Sequence, residues 1–179
     1  MKKFMMTLAA VLCCAMTTTV LTACGGDDKD TPGSDNTPVT AQLLSEFKPS
    51  EDLLKYMDVT VEYYDASGSI QKETITGDWT KTVRARIPAK LGIHVTIKLK
   101  DGVDVSTIDK ATMGYKTNFV ANNLNAANEK VDPERREWPE SSLVVPGNKI
   151  QEYVERHKDN LYSVLYVFDG NTIVDTSWN

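Results

Sequence analysis

Between Trp79 and Lys100 the chain alternates apolar and polar residues with a period of two, and it keeps the same phase across an interruption. Val83, Ala85 and Ile87 fall on one side, Thr82, Arg84 and Arg86 on the other. Past Pro88 to Gly92, the apolar side resumes with Ile93, Val95, Ile97 and Leu99, against His94, Thr96, Lys98 and Lys100. Successive side chains of a strand point to opposite faces, so the pattern predicts strands with one buried and one solvated face. A single straight strand from Val83 to Leu99 would span roughly 60 Å at about 3.3 Å per residue, well beyond ordinary strand length. Pro88 and Gly92 therefore mark a bend, a bulge or a turn.

The same signal recurs on both sides. Val59, Val61 and Tyr63 alternate with Thr60, Glu62 and Tyr64, and Asp65-Ala66-Ser67-Gly68-Ser69 reads as a turn. Ile70 to Thr76 follows as a weakly apolar strand of edge character. Met113, Tyr115, Thr117 and Phe119 alternate with Gly114, Lys116 and Asn118. Leu161 to Phe168 is apolar at nearly every position, as in a strand covered on both faces, and Asp169-Gly170-Asn171 turns it back toward Trp178. Helical signals are few. Ser50 before Glu51 and Asp52 reads as the cap of a single turn, and Ala41 to Phe47 as a short amphipathic turn. Asn148 could cap one longer helix, with Ile150, Tyr153, Val154 and His157 as its apolar stripe.

About seven strands, one short helix and no βαβ alternation predict an all-β domain, an antiparallel β-sandwich. Tyr162, opening a strand after the helix, is similar to the tyrosine corner of immunoglobulin-like sandwiches, which makes that form one candidate. A small β-barrel is the alternative.

The N-terminus has a different character. Lys2 and Lys3 precede an apolar run from Phe4 to Met16, too short to span a bilayer, and the segment closes on Leu21-Thr22-Ala23-Cys24. These four residues resemble the lipobox of bacterial lipoproteins. The resemblance implies cleavage before Cys24, acylation of that cysteine and attachment to the membrane through its lipid. Cys13 and Cys14 would leave with the signal and nothing after Cys24 is cysteine, so the mature chain would have no disulfide and no thiolate. Gly25-Gly26-Asp27-Asp28-Lys29-Asp30 then resembles the surface-export signal of Bacteroidota lipoproteins. Gly25, where an inner-membrane retention signal would carry Asp, fits the outer membrane. The resemblance implies an outer-membrane lipoprotein, cell-surface exposed, with a periplasm-facing one as the alternative. The expected organisation is a signal peptide over 1–23, a lipidated acidic Pro/Gly linker over 24–48 and one sandwich domain over 49–179.

The chemistry-bearing residues are sparse. Removing residues 1–23 takes two lysines and no acids, moving the net charge from −5 to −7, which speaks against nucleic acid as a partner. The sequence has no GxGxxG, P-loop, HExxH or GxSxG pattern, so no cofactor and no catalytic residue is expected. His94 reads as a surface residue on a polar strand face. His157 reads as a packing residue at a helix C-terminus, where the dipole favours its charged form. Asp101, Asp104 and Asp109 read as turn residues rather than a calcium site, and no metal is assigned. Arg84 and Arg86 would form a basic stripe with Lys98 and Lys100 if their strands were neighbours.

One stretch stands out, Asp132-Pro133-Glu134-Arg135-Arg136-Glu137-Trp138-Pro139, in a long insertion running from Ala121 to Glu140. Trp138 between charged residues, flanked by Arg135 and Arg136, could stack on a sugar ring or anchor a protein partner. The alternative is a tryptophan folded back over the end of the sandwich. The expected function is thus a non-enzymatic binding module for a glycan or an envelope protein. A structural role in an envelope complex, using the Ile70–Thr76 edge for strand addition, is the second reading, and a hydrolase the third.

Overall fold

The computed structural model describes residues 36–131 and 134–178. The signal segment, Cys24 and the linker as far as residue 35 lie outside the described residues. The chain runs as β1 (Thr40–Pro49), α1 (Glu51–Tyr56), β2 (Met57–Tyr64), β3 (Ile70–Ile75), β4 (Trp79–Arg86), β5 (Ala89–Leu99), β6 (Lys110–Leu124), β7 (Arg135–Glu137), β8 (Glu140–Pro146), α2 (Ile150–His157), β9 (Tyr162–Phe168) and β10 (Ile173–Thr176).

These strands make two antiparallel sheets. The first has the order β4-β1-β6, with β7 and β8 pairing one after the other along the free side of β6; the second has the order β10-β9-β5-β2-β3. Neither closes on the other, so the domain is an antiparallel β-sandwich and not a barrel. The strand order departs from the immunoglobulin-like form: there the first strand lies beside the second, whereas here β1 lies between β4 and β6 while β2 belongs to the opposite sheet.

The long alternation from Trp79 to Lys100 resolves into β4 and β5, one in each sheet. Ile87 and Pro88 carry the chain across without folding it back as a hairpin, and the phase survives because both strands face one core. Ala85, Leu91, Ile93, Val95 and Ile97 are buried on that side. Arg84 and Arg86 therefore lie in a different sheet from Lys98 and Lys100, and no basic stripe forms.

Three expectations are corrected. Ala41 to Phe47 is not an amphipathic turn, and the stretch from Thr40 to Lys48 is not linker; it is β1, paired on both sides and buried at every second residue. The insertion expected from Ala121 starts later, because β6 continues to Leu124 with Asn122 and Asn123 buried. Asn148 does not cap α2, which follows a 3-10 turn over Gly147–Lys149 and has Lys149 at its cap position.

Other expectations hold. Ser50 Oγ accepts from the Leu53 amide at 3.3 Å, β3 is a sheet edge, and Gly170 takes a φ of +94° in the β9–β10 connection. Ile150 and Val154 bury the apolar stripe of α2. An aromatic chain runs through the core: Phe47 stacks on Tyr115 at 5.4 Å, Tyr115 meets Tyr162 at 5.4 Å, and Phe119 lies against Tyr162 and Tyr166.

Candidate functional site

The free side of β6 explains how Trp138 is held. Phe119 pairs with Glu137 and Lys116 with Glu140, and the Thr117 amide donates to the Pro139 carbonyl at 3.0 Å. β7 and β8 are thus one edge in a single register, interrupted where Pro139 has no amide to give. Trp138 falls in that register opposite Asn118. It is 62% exposed, the most exposed large apolar residue of the described chain, so it is not folded back over the end of the sandwich.

Asn118 donates from Nδ2 to Glu46 Oε2 of β1 at 3.2 Å, and its Oδ1 is enclosed without a hydrogen-bond partner among the described residues. Two positions further on, Val120 lies between Leu44 and Arg136; two more, Asn122 pairs with Gln42, which accepts from Arg84 Nε at 2.7 Å. Asn122 is 1% exposed and its Oδ1 also lacks a partner among the described residues. The outer face of this sheet therefore carries the Asn118 amide and the Glu46 carboxylate next to the indole, with the Gln42–Arg84 pair and the covered Asn122 four residues further along the strands.

Arg135 and Arg136 do not act together. Strand alternation sends them to opposite faces. Arg136 stays outside, half exposed and paired with Glu134. Arg135 turns inward, where Nε donates to Glu137 at 2.7 Å, Nη1 to the Ile173 carbonyl at 3.2 Å, and Nη2 approaches Asp175 at 3.5 Å. Its guanidinium lies 5.4 Å from the Tyr166 ring centroid. Arg135 thus joins β7 of one sheet to β10 of the other, and it is a stitch rather than a ligand contact. Tyr166 is fully buried beneath it; burial, then the nearby Glu137 charge, raises the phenol's pKa, although no hydrogen bond of good geometry closes between them.

The other open side of the sandwich has a matching stitch. Glu73 of β3 accepts from Tyr63 Oη at 2.8 Å, from Trp79 Nε1 at 2.7 Å and from Lys81 Nζ at 2.9 Å, and Lys81 sits 4.5 Å from the Tyr63 ring centroid. Those donors, Lys81 first, hold the Glu73 carboxyl down at about 2. The hydrogen bonds that join the two sheets here are also what keeps this carboxylate ionised.

The remaining candidates are accounted for singly. His94 lies on the outer strand face as expected but is half-buried there: Trp178 stacks over it at 5.7 Å and 15° and meets Tyr64 at 4.8 Å and a 47° tilt, so the segment after β10 packs on the outer face of the second sheet. His157 contacts Tyr153 at 4.5 Å; burial first and then Arg156 lower its pKa, so the neutral imidazole is favoured rather than the charged one. Asp104 is occupied by Ser106 at 2.6 and 2.9 Å, and Asp101 by Lys98 at 3.3 Å. Cys24 lies outside the described residues. Sequence reasoning missed Asn118 as the cross-strand neighbour of Trp138, and Glu46 hydrogen-bonded to Asn118, because only the strand register brings them together. Comparison of the chain with protein families, with curated proteins and with solved structures gives no match.

Proposed function

We propose that this chain is a cell-envelope lipoprotein, anchored by acyl groups on Cys24, whose sandwich works by binding a glycan on the outer face of the β4-β1-β6 sheet. The observation that carries this reading is Trp138, fixed by the β6 register opposite Asn118 and 62% exposed. Pyranose rings offer a flat C–H face that packs on an indole and hydroxyls that need donors and acceptors at the rim. Asn118 opposite the ring, Glu46 hydrogen-bonded to Asn118, and Arg136 two residues along the same edge supply such groups near the ring. An amide oxygen enclosed without a donor costs on the order of 1–3 kcal/mol; a sugar hydroxyl that displaces the covering side chains relieves it.

The anchor follows from the lipobox resemblance, and the acidic run behind Cys24 favours outward attachment on the outer membrane. Two acyl chains or more give stable anchoring where one does not.

The test is retention on immobilised polysaccharides of differing linkage. Trp138→Ala is expected to lower retention at least tenfold while leaving the melting temperature unchanged. Unaltered retention in the variant, or no retention of the parent on any polysaccharide, overturns the glycan reading. Protease treatment of intact cells checks the orientation: an outward-facing domain is lost while a periplasmic control survives.

A further inference from the structure

A sheet edge is a row of unpaired backbone groups, and proteins guard such edges with charges, prolines or short strands. Among the described residues, four edge strands follow this practice. β4 carries Lys81, Arg84 and Arg86, β3 carries Lys72 and Glu73, β7 is three residues with two arginines, and β10 is four residues. The fifth, β8, does not. After Glu140 it reads Ser141-Ser142-Leu143-Val144-Val145, with Leu143 53% and Val144 58% exposed. Between this edge and α2 lies a hollow of about 250 Å³, lined by Leu143, Val145, Pro146 and Tyr153 with Lys149 and Arg156 at its rim.

We infer that β8 is a homodimer interface, taking β8 of a second copy antiparallel across a two-fold axis with Leu143 opposite Leu143. Three features support a second copy over another occupant. The register is self-complementary: Ser142 meets Val144, Ser141 meets Val145, and no like charges are brought together. The pairing lines up the whole strand, with Glu140 at one end opposite Pro146 at the other. The charges then match at both ends. Lys149 and Arg156 share one carboxylate, Glu152, at 3.0 Å each, which leaves a net positive charge beside Pro146. Glu140 has only a loose partner of its own, Lys116 at 3.9 Å with both side chains mostly exposed. The two-fold delivers Glu140 of each copy to the cationic corner of the other.

Such a dimer fuses two five-stranded sheets into one, with both outer faces on the same side. If the glycan reading also holds, the two Trp138 rings would stand about 33 Å apart along the strand direction, at roughly 3.3 Å per residue, and bind a long polymer bivalently.

The test uses intact cells producing the full chain, oxidised to form disulfides, with the unsubstituted chain as control for its native cysteines. Leu143→Cys is expected to trap a species of twice the mass. Thr80→Cys, on the β4 edge, is expected not to. Adding Val144→Lys to Leu143→Cys should cut the linked fraction at least fivefold without lowering the cellular level of the protein. Failure of Leu143→Cys to link, equal linking by Thr80→Cys, or indifference to Val144→Lys overturns the interface. Trp138→Ala leaves all of these outcomes unchanged, so the interface and the glycan reading fail separately.

Discussion

The indole of Trp79 donates to Glu73 at 2.7 Å, tying the first strand edge of one sheet to an edge of the other. The same carboxylate takes two further donors, so it is a strong, charge-assisted node although its side chain is 39% exposed. Its folded pKa of about 2 lies below the ordinary 4.5. The sign follows directly: the unfolded chain binds the proton first as pH falls. The stabilisation is complete above about pH 4.5 and is lost progressively toward pH 2. Glu73→Gln is expected to cost about 1 kcal/mol at neutral pH, partial exposure keeping it at the low end for charged hydrogen bonds. Urea melts of both proteins at pH 7 and pH 3 check this; the gap between them should narrow at the lower pH.

Arg135 and Arg136 are neighbours in sequence with opposite duties. Arg135→Ala should lower stability by about 1–2 kcal/mol, since it removes hydrogen bonds to Glu137 and Ile173 and the contact over Tyr166. Arg136→Ala should change it by less than about 0.5 kcal/mol, as for other exposed pairs. Thermal melts of the two variants side by side decide the matter, and equal losses would refute the assignment of opposite faces.

Gly147 stands where chain meets chain. A Cβ placed there would lie 1.6 Å from the Ile108 carbonyl oxygen and 3.3 Å from that of Val105, and the Gly147 amide already donates to Asp109 at 2.8 Å. Backbone on both sides has to shift. Gly147→Ala is expected to cost about 1–3 kcal/mol, as overpacking does, measurable as a fall in the denaturation midpoint.

His157 should titrate below the ordinary imidazole value, with burial as the main cause and Arg156 as the second. Below about pH 6.5 the unfolded chain takes up a proton that the folded chain resists, so stability falls with pH through that window and levels off beneath the folded pKa. NMR titration of the two histidines reads this directly. Arg156→Ala should move the His157 midpoint upward; a midpoint at or above 6.5 in the parent would contradict the burial.

Most of the sandwich is legible in the sequence because half-buried strands must alternate. β2, β4 and β5 announce themselves this way, and the β9–β10 hairpin through its continuous apolar run and the Asp169-Gly170-Asn171 turn. β1 does not, for a definite reason: Ser45 occupies a buried position and Leu44 an outer one, which blurs the alternation. Asn122 and Asn123 hide the second half of β6 similarly, since polar side chains at enclosed ladder positions mimic loop composition. The exposure of Trp138 is legible from its charged and proline neighbours. Its companions are not, because Asn118 and Glu46 reach it only through pairings with strands distant in sequence. The fate of His94 is hidden as well, being settled by a tail residue, Trp178, that arrives at the far end of the chain.

The placement of β1 also dictates an order of events. Its first residue, Thr40, pairs with Leu124, more than eighty residues later, and its other neighbour, β4, begins only at Trp79. The earliest of the described strands to emerge is therefore the one that waits longest for both partners, while β2, β3 and β5 can form a hairpin and a third strand on their own. A topology so rich in distant pairings folds slowly. A chain interrupted before β4 would leave the Leu43-Leu44 to Phe47 segment with neither partner, and one interrupted between β4 and β6 would leave one side of it open, the kind of sequence that chaperones hold and proteases find.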